Sequence, residues 1–166
     1  MNQGNGTFEE GGGAIPSGFQ YIPQSLAVAD MDGDGQLLDI LLGTLDNYPN
    51  YLLQNQGSGN FRTVEGAFHD VVDDNIEHWT ISIAVSDVNA DGRVDVIIAV
   101  NDDDHSIQVI LNKSGAGAYL EVPGAIPGDN YNTEGIVVAD LDGDGLPDLI
   151  VDNQKEPNEV LLNQRR

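Results

Sequence analysis

One phrase is written three times along this chain: Ala29-Asp30-Met31-Asp32-Gly33-Asp34-Gly35, Ser86-Asp87-Val88-Asn89-Ala90-Asp91-Gly92 and Ala139-Asp140-Leu141-Asp142-Gly143-Asp144-Gly145. The leading aspartates stand 57 and 53 residues apart, a period close to that of a four-stranded propeller blade. The copies are in tandem, so whatever one unit folds into, its neighbours must pack beside.

The flanks say what the unit is. A short β-rich run precedes each phrase (Leu26-Ala27-Val28, Ile83-Ala84-Val85, Ile136-Val137-Val138). A second follows it (Ile40-Leu41-Leu42, Val96-Ile97-Ile98, Leu149-Ile150-Val151), too short for a helix and too apolar to be exposed, and so a buried strand. A third run closes each unit at Tyr51-Leu52-Leu53, Gln108-Val109-Ile110-Leu111 and Glu159-Val160-Leu161-Leu162. Two of these enter a Gly-rich turn whose closing aromatic, Phe61 or Tyr119, begins a fourth strand. The residue before each first aspartate is small, as expected where innermost strands crowd a central channel. The expectation is an all-β fold of three four-stranded β-propeller blades. No linker divides the chain, so residues 1–166 read as one propeller segment. Its units run over about 9–61, 62–119 and 120–164, with 1–8 supplying the strand that completes the terminal blade.

The repeated phrase has the chemistry of a hard-cation loop. In the third copy oxygen-bearing side chains fall at Asp140, Asp142, Asp144 and Asp148, with Gly145 at the sixth place and the Leu146 carbonyl at the seventh. Calcium takes 6 to 8 oxygens at about 2.3–2.6 Å, and the one-three-five spacing with glycine at six lets one tight loop supply them. The second copy offers Asp87, Asn89, Asp91, the Arg93 carbonyl and Asp95. The first offers Asp30, Asp32, Asp34 and the Gln36 carbonyl, but its last acid, Asp39, arrives one residue late, and a distorted or weaker site is expected there. Calcium, about three ions per chain, is the expected cofactor. Asp-Gly pairs also make plain turns, but three copies at a fixed period, each with an acid after the bend, point to metal. An EF-hand loop would need an acid at its twelfth place and flanking helices, whereas the twelfth places here are Leu41, Ile98 and Val151, inside strands.

On these residues the repeats resemble FG-GAP or VCBS-type blades, the calcium-binding blades of integrin α-subunit propellers and many bacterial surface proteins. The resemblance implies a β-propeller with calcium in the loop joining the two inner strands of each blade. It also implies a role in adhesion or recognition and an extracellular or cell-surface location. The chain departs from the integrin version, since Phe-Gly before the loop and Gly-Ala-Pro after strand two are both missing. Gly43-Thr44-Leu45, Ala99-Val100-Asn101 and Val151-Asp152-Asn153 occupy the latter place, so integrin-type ligand recognition does not carry over.

Six Lys and Arg against 28 Asp and Glu give a net charge of −22, a field that repels phosphate backbones and anionic membranes, so neither nucleic acid nor membrane insertion is expected. The absence of cysteine removes disulfides, thiolate metal sites and thiol nucleophiles. His69, His78 and His105 are scattered over different loops without a nucleophile motif, and a non-enzymatic protein is expected. A glycan or protein ligand would meet the face opposite the metal loops, where Trp79, His78, Tyr131 and Tyr48 are the candidate contacts. The alternative is a self-assembling structural building block, a half-propeller or an excised or designed fragment, with no ligand of its own.

The two ends complement each other. The chain closes on Leu161-Leu162-Asn163-Gln164, a third strand entering its turn, and opens on Gly4-Asn5-Gly6-Thr7-Phe8, a turn entering a fourth strand; together they match the internal run from Leu53 to Phe61. Propellers have 4 to 8 blades, so three are expected to close as a homodimer of six, each amino-terminal strand completing the partner's last blade.

Overall fold

The computed structural model describes residues 6–7, 15–16, 23–45, 48–68, 79–100, 107–114, 118–127 and 132–164. Among them are eleven strands and no helix: β1 (Pro23–Ala29), β2 (Asp39–Thr44), β3 (Tyr51–Asn55), β4 (Phe61–Val64), β5 (Thr80–Ser86), β6 (Asp95–Val100), β7 (Ile107–Asn112), β8 (Tyr119–Glu121), β9 (Thr133–Ala139), β10 (Asp148–Asn153) and β11 (Glu159–Leu161). They form three antiparallel sheets in simple up-and-down order, β1-β2-β3-β4, β5-β6-β7-β8 and β9-β10-β11. Each repeat is thus one blade-like sheet, and every run expected from the sequence lies in its strand except Leu162, which falls just past the end of β11. Of the amino-terminal segment 1–8 expected to complete the last sheet, only Gly6 and Thr7 are among the described residues, and neither lies in a strand.

Equivalent registers place the repeat residues at equivalent stations. Ala29 pairs with Asp39, Ser86 with Asp95 and Ala139 with Asp148, so each Asp-rich loop is the connection from the first strand of its sheet to the second. The innermost strands β1, β5 and β9 pack side by side, as the small residues at their ends require. Hydroxyls tie them together: Ser25 Oγ accepts the Ile83 N–H at 3.0 Å, and Ser82 Oγ accepts the Ile136 N–H at 3.3 Å.

Alternation sends one set of side chains to each neighbour. Ala29, Met31, Leu41 and Leu52 of blade one bury against Val96, Ile98 and Ile110 of blade two. Ile97, Ala99 and Val109, on the other side of blade two, bury against Ile136, Leu149 and Val151. All six residues of β6 are therefore buried, and after Asp95 its sequence Val-Ile-Ile-Ala-Val is apolar because both faces are covered. The end blades differ. Ile40 and Leu42 are half-buried and Ile150 is exposed, where burial was expected for all second-strand runs, because their faces point away from the stack.

The first seam is tight at Gly43. A Cβ there would lie 2.5 Å from Thr80 Cγ2 and 3.0 Å from Ile83 Cδ1, and Thr80 is buried and β-branched, with little room to turn. Gly43→Ala should therefore cost about 1–3 kcal/mol of stability in urea unfolding. Adding Thr80→Ser, which deletes Cγ2, should recover at least half of it. An unchanged midpoint for Gly43→Ala would show that the blades separate easily at this point.

Candidate metal centres

Each loop is woven from its own aspartates. In loop three Asp140 accepts the Gly143 N–H through Oδ1 at 2.8 Å and the Gly145 N–H through Oδ2 at 3.0 Å. Asp142 then accepts the Asp144 N–H at 3.0 Å, and Asp144 accepts the Leu146 N–H at 2.8 Å. Loop one repeats the pattern, with Gly33 and Gly35 on Asp30, Asp34 on Asp32 and Gln36 on Asp34. Loop two follows with Gly92 on Asp87, Asp91 on Asn89 and Arg93 on Asp91. The tight course uses left-handed backbone, with Gly143 at φ 81° and Gly145 at φ 87°. Ala90 occupies the station of Gly33 and Gly143 at φ 58°, a conformation that disfavours a Cβ, so loop two is the strained copy.

The closing acid is the buried member of each set. Asp39, Asp95 and Asp148 are almost fully inaccessible, and each spans two elements. Asp95 accepts the Val88 N–H through Oδ2 at 3.0 Å and the Asn112 N–H through Oδ1 at 2.9 Å. Asp39 does the same with Met31 and Asn55, and Asp148 with Leu141 and Asn163. The late arrival of Asp39 does not displace it from this station. The extra residue is taken up between Gln36 and Leu38, where the Leu37 N–H joins that of Gln36 on Asp34 Oδ1.

These carboxylates converge. Asp30, Asp32 and Asp39 each bring one oxygen to within 4.8 Å of the others, and so do Asp140, Asp142 and Asp148. Oxygens that share one calcium ion at about 2.3–2.6 Å can lie no farther apart than about 4.6–5.2 Å, so the all-oxygen sets fit that cation. Asp34 and Asp144 lie outside the clusters, each spending one oxygen on the N–H two residues on. Gln36, Arg93 and Leu146 occupy the place after the glycine bend, their N–H groups held by the fifth-place aspartate.

Loop two is electrostatically different. Asn89 stands where the others have aspartate, and its amide donates to Asp91 Oδ2 at 3.0 Å. The Arg93 guanidinium forms an ion pair with the same oxygen, while its Nε donates to the Asn112 carbonyl. Arg93 entered the sequence reading only for its carbonyl. The legible signal was a cation, one of six Lys and Arg in the chain, set inside an acidic loop.

The loops are also wired to one another. Asn112, at the end of β7, takes its place on Asp95 by its backbone and donates its side-chain amide to the Met31 carbonyl of loop one at 2.9 Å. Asn163 repeats this between Asp148 and the Val88 carbonyl of loop two at 2.8 Å. Because Met31 and Val88 are held by Asp39 and Asp95, a continuous line runs from Asp148 through Asn163, Val88, Asp95, Asn112 and Met31 to Asp39.

Burial pushes the Asp39 and Asp95 carboxyls above their ordinary range, against the pull of their backbone hydrogen bonds. Asp148 is held below it by the Leu141 and Asn163 N–H groups, whose pull outweighs its desolvation. The signs differ accordingly. In the metal-free chain Asp39 and Asp95 favour folding below the ordinary carboxylate pKa and lose that contribution as pH rises through their raised values. Asp148 contributes above the ordinary value and loses its share as pH falls.

Of the expected ligand contacts, Tyr48 lies in the β2–β3 connection, its carbonyl accepting the Thr44 hydroxyl at 2.5 Å, and its side chain is exposed. Trp79, also exposed, immediately precedes Thr80 at the seam of blades one and two. Both sit at the end of the sheets opposite the Asp-rich loops. His78 and Tyr131 lie outside the described residues.

The family model described as FG-GAP-like repeat matches residues 87–151, from the first aspartate of loop two to the second strand of blade three. Cartilage acidic protein 1 of Mus musculus is 27% identical over 108 residues, covering 65% of this chain and 16% of its own length. The proteins of the same name from Xenopus tropicalis and Homo sapiens are 28% and 26% identical over the same length. The chain therefore spans about one sixth of the length of these relatives.

Proposed function

We propose, from an FG-GAP-like repeat that spans loops two and three, with one further copy of the loop motif ahead of it, that this chain is a calcium-binding propeller module for adhesion or recognition, without enzymatic activity. The observation that carries the reading is the convergence of three carboxylate oxygens, one of them buried, at the same station of two repeats. Such a set without a cation would hold like charges together at a cost that calcium turns into attraction. The chain's own residues orient the oxygens: backbone N–H groups fix each aspartate, and the glycine bend closes the loop. Calcium would supply charge neutralisation and cross-linking between the two inner strands.

A glycan or protein ligand is assigned to the end opposite the loops, where Trp79 and Tyr48 offer exposed aromatic faces. The location that fits is extracellular or cell-surface, where calcium is abundant enough to fill loops with Kd of about 10⁻⁴–10⁻³ M.

Calorimetric titration with calcium tests the metal reading. Three ions per chain are expected, loop two the weakest because it has one carboxylate fewer and Arg93 holds Asp91. Asp142→Ala should remove one of the two tighter ions, whereas Asp152→Ala, outside the loops, should leave all three. Absence of calcium binding would overturn the proposal. A glycan array screened with calcium present separates recognition from a purely structural role.

A further inference from the structure

The two outer faces of the stack are made of the residues that join its blades internally. In blade two Ala84, Ile97 and Val109 are covered by blade three. Their equivalents in blade three, Val137, Ile150 and Val160, are 57%, 37% and 58% exposed, and Leu162 beside them is 45% exposed. At the other end Ile83, Val85, Val96 and Ile98 of blade two pack on blade one. Their equivalents in blade one are Leu26 and Val28, 67% and 52% exposed, with Ile40 and Leu42 half-buried. Leu53, at the far side of this face, is already buried. Contiguous apolar area of this kind on a protein marks an interface.

The polar tie is interrupted at the same two places. Asn112 and Asn163 each donate to the second residue of the preceding blade's loop. Asn55, first in the series, instead donates to Leu38 in its own blade at 3.0 Å. Leu141, last in the series, is 44% exposed, whereas Met31 at the same station is 1% exposed beneath blade two.

We infer that the outer face of blade three binds the outer face of blade one on a second copy of this chain. The side chains on each face already have a working partner inside the molecule, and it is the other face. The pairing is head-to-tail, and two copies make it twice, joining their six described sheets and covering both of these faces on each copy. The second copy's Asn55 turns from Leu38 to the Leu141 carbonyl, extending the line of asparagines across the join. One tie is lost: Gly135 stands where Ser25 and Ser82 supply hydroxyls, so the seam between copies is weaker than the internal ones. This inference rests on apolar faces and asparagines, and it stands or falls independently of calcium in the loops.

Light scattering of the full chain, in calcium and about 0.15 M salt to screen the acidic charge, should give a single species of twice the 17.7 kDa chain mass. Val160→Asp and Leu26→Asp, at exposed positions, should each yield folded monomer, with circular dichroism confirming the β-sheet. An equimolar mixture of the two should regain two-chain species, because one of its two joins then unites unaltered faces. A monomeric or trimeric wild type, a dimer that survives Val160→Asp, or a mixture that stays monomeric would each overturn the inference. The last of these would mean that like faces pair with like.

Discussion

Asp95→Ala should lower the free energy of unfolding by about 3–5 kcal/mol, enough to remove much of the stability of a typical domain. The side chain is 0% exposed, and its two oxygens take the Val88 and Asn112 N–H groups. Alanine would leave both donors buried without acceptors, at about 1–3 kcal/mol each. The damage should spread, because Asn112 and Val88 are the residues through which loop two is tied to loops one and three. Asp95→Asn keeps the shape and one acceptor oxygen and should cost roughly half as much. The asparagine variant also separates two roles of this carboxyl. Burial disfavours its ionised form in the metal-free chain, so the substitution should be milder in chelator and harsher in calcium, where a ligand is lost as well. Urea unfolding in the two buffers measures both, and equal losses would show that Asp95 does not ligate.

Chelation should move the melting temperature farther still. An ion that binds only the folded chain stabilises it by about 2.7 kcal/mol at one hundred times its Kd, so three ions contribute about 8 kcal/mol. For a chain of this size each kcal/mol shifts the midpoint by about 2–4 °C, giving about 15–30 °C between calcium near 10 mM and excess chelator. The acidic surface makes a control necessary, since any salt screens a net charge of −22. Sodium chloride at matched ionic strength should recover only a small part of the difference. A shift of a degree or two, or one that sodium reproduces, would remove calcium from the account of this fold.

Much of this architecture was legible in the sequence because the repeat is written in residue types with narrow uses. Asp-x-Asp-Gly-Asp-Gly between two apolar runs fixes a loop between strands, and it placed β1, β2, β5, β6, β9 and β10 to within three residues at either end. The exposure of the end faces was not legible, because Val137 and Ala84 look alike in a list of apolar residues; only the stacking order decides which is covered. The equivalence of Asp39 to Asp95 and Asp148 was obscured for a different reason. Counting from the first aspartate makes Asp39 late, while counting back from the second strand makes it punctual, and the sheet register enforces the second count. The seam asparagines escaped notice because Asn55, Asn112 and Asn163 look like ordinary polar strand ends until their amides are followed across to the neighbouring blade.

Those asparagines make each repeat self-sufficient as a link. A blade holds its donor at the close of its third strand and its acceptor at the second residue of its loop, so every unit carries both plug and socket. Copying one repeat copies both halves of the joint. Such a chain can lengthen or shorten by whole units without inventing a new contact, and the number of blades is free to vary while the chemistry that fastens them stays the same.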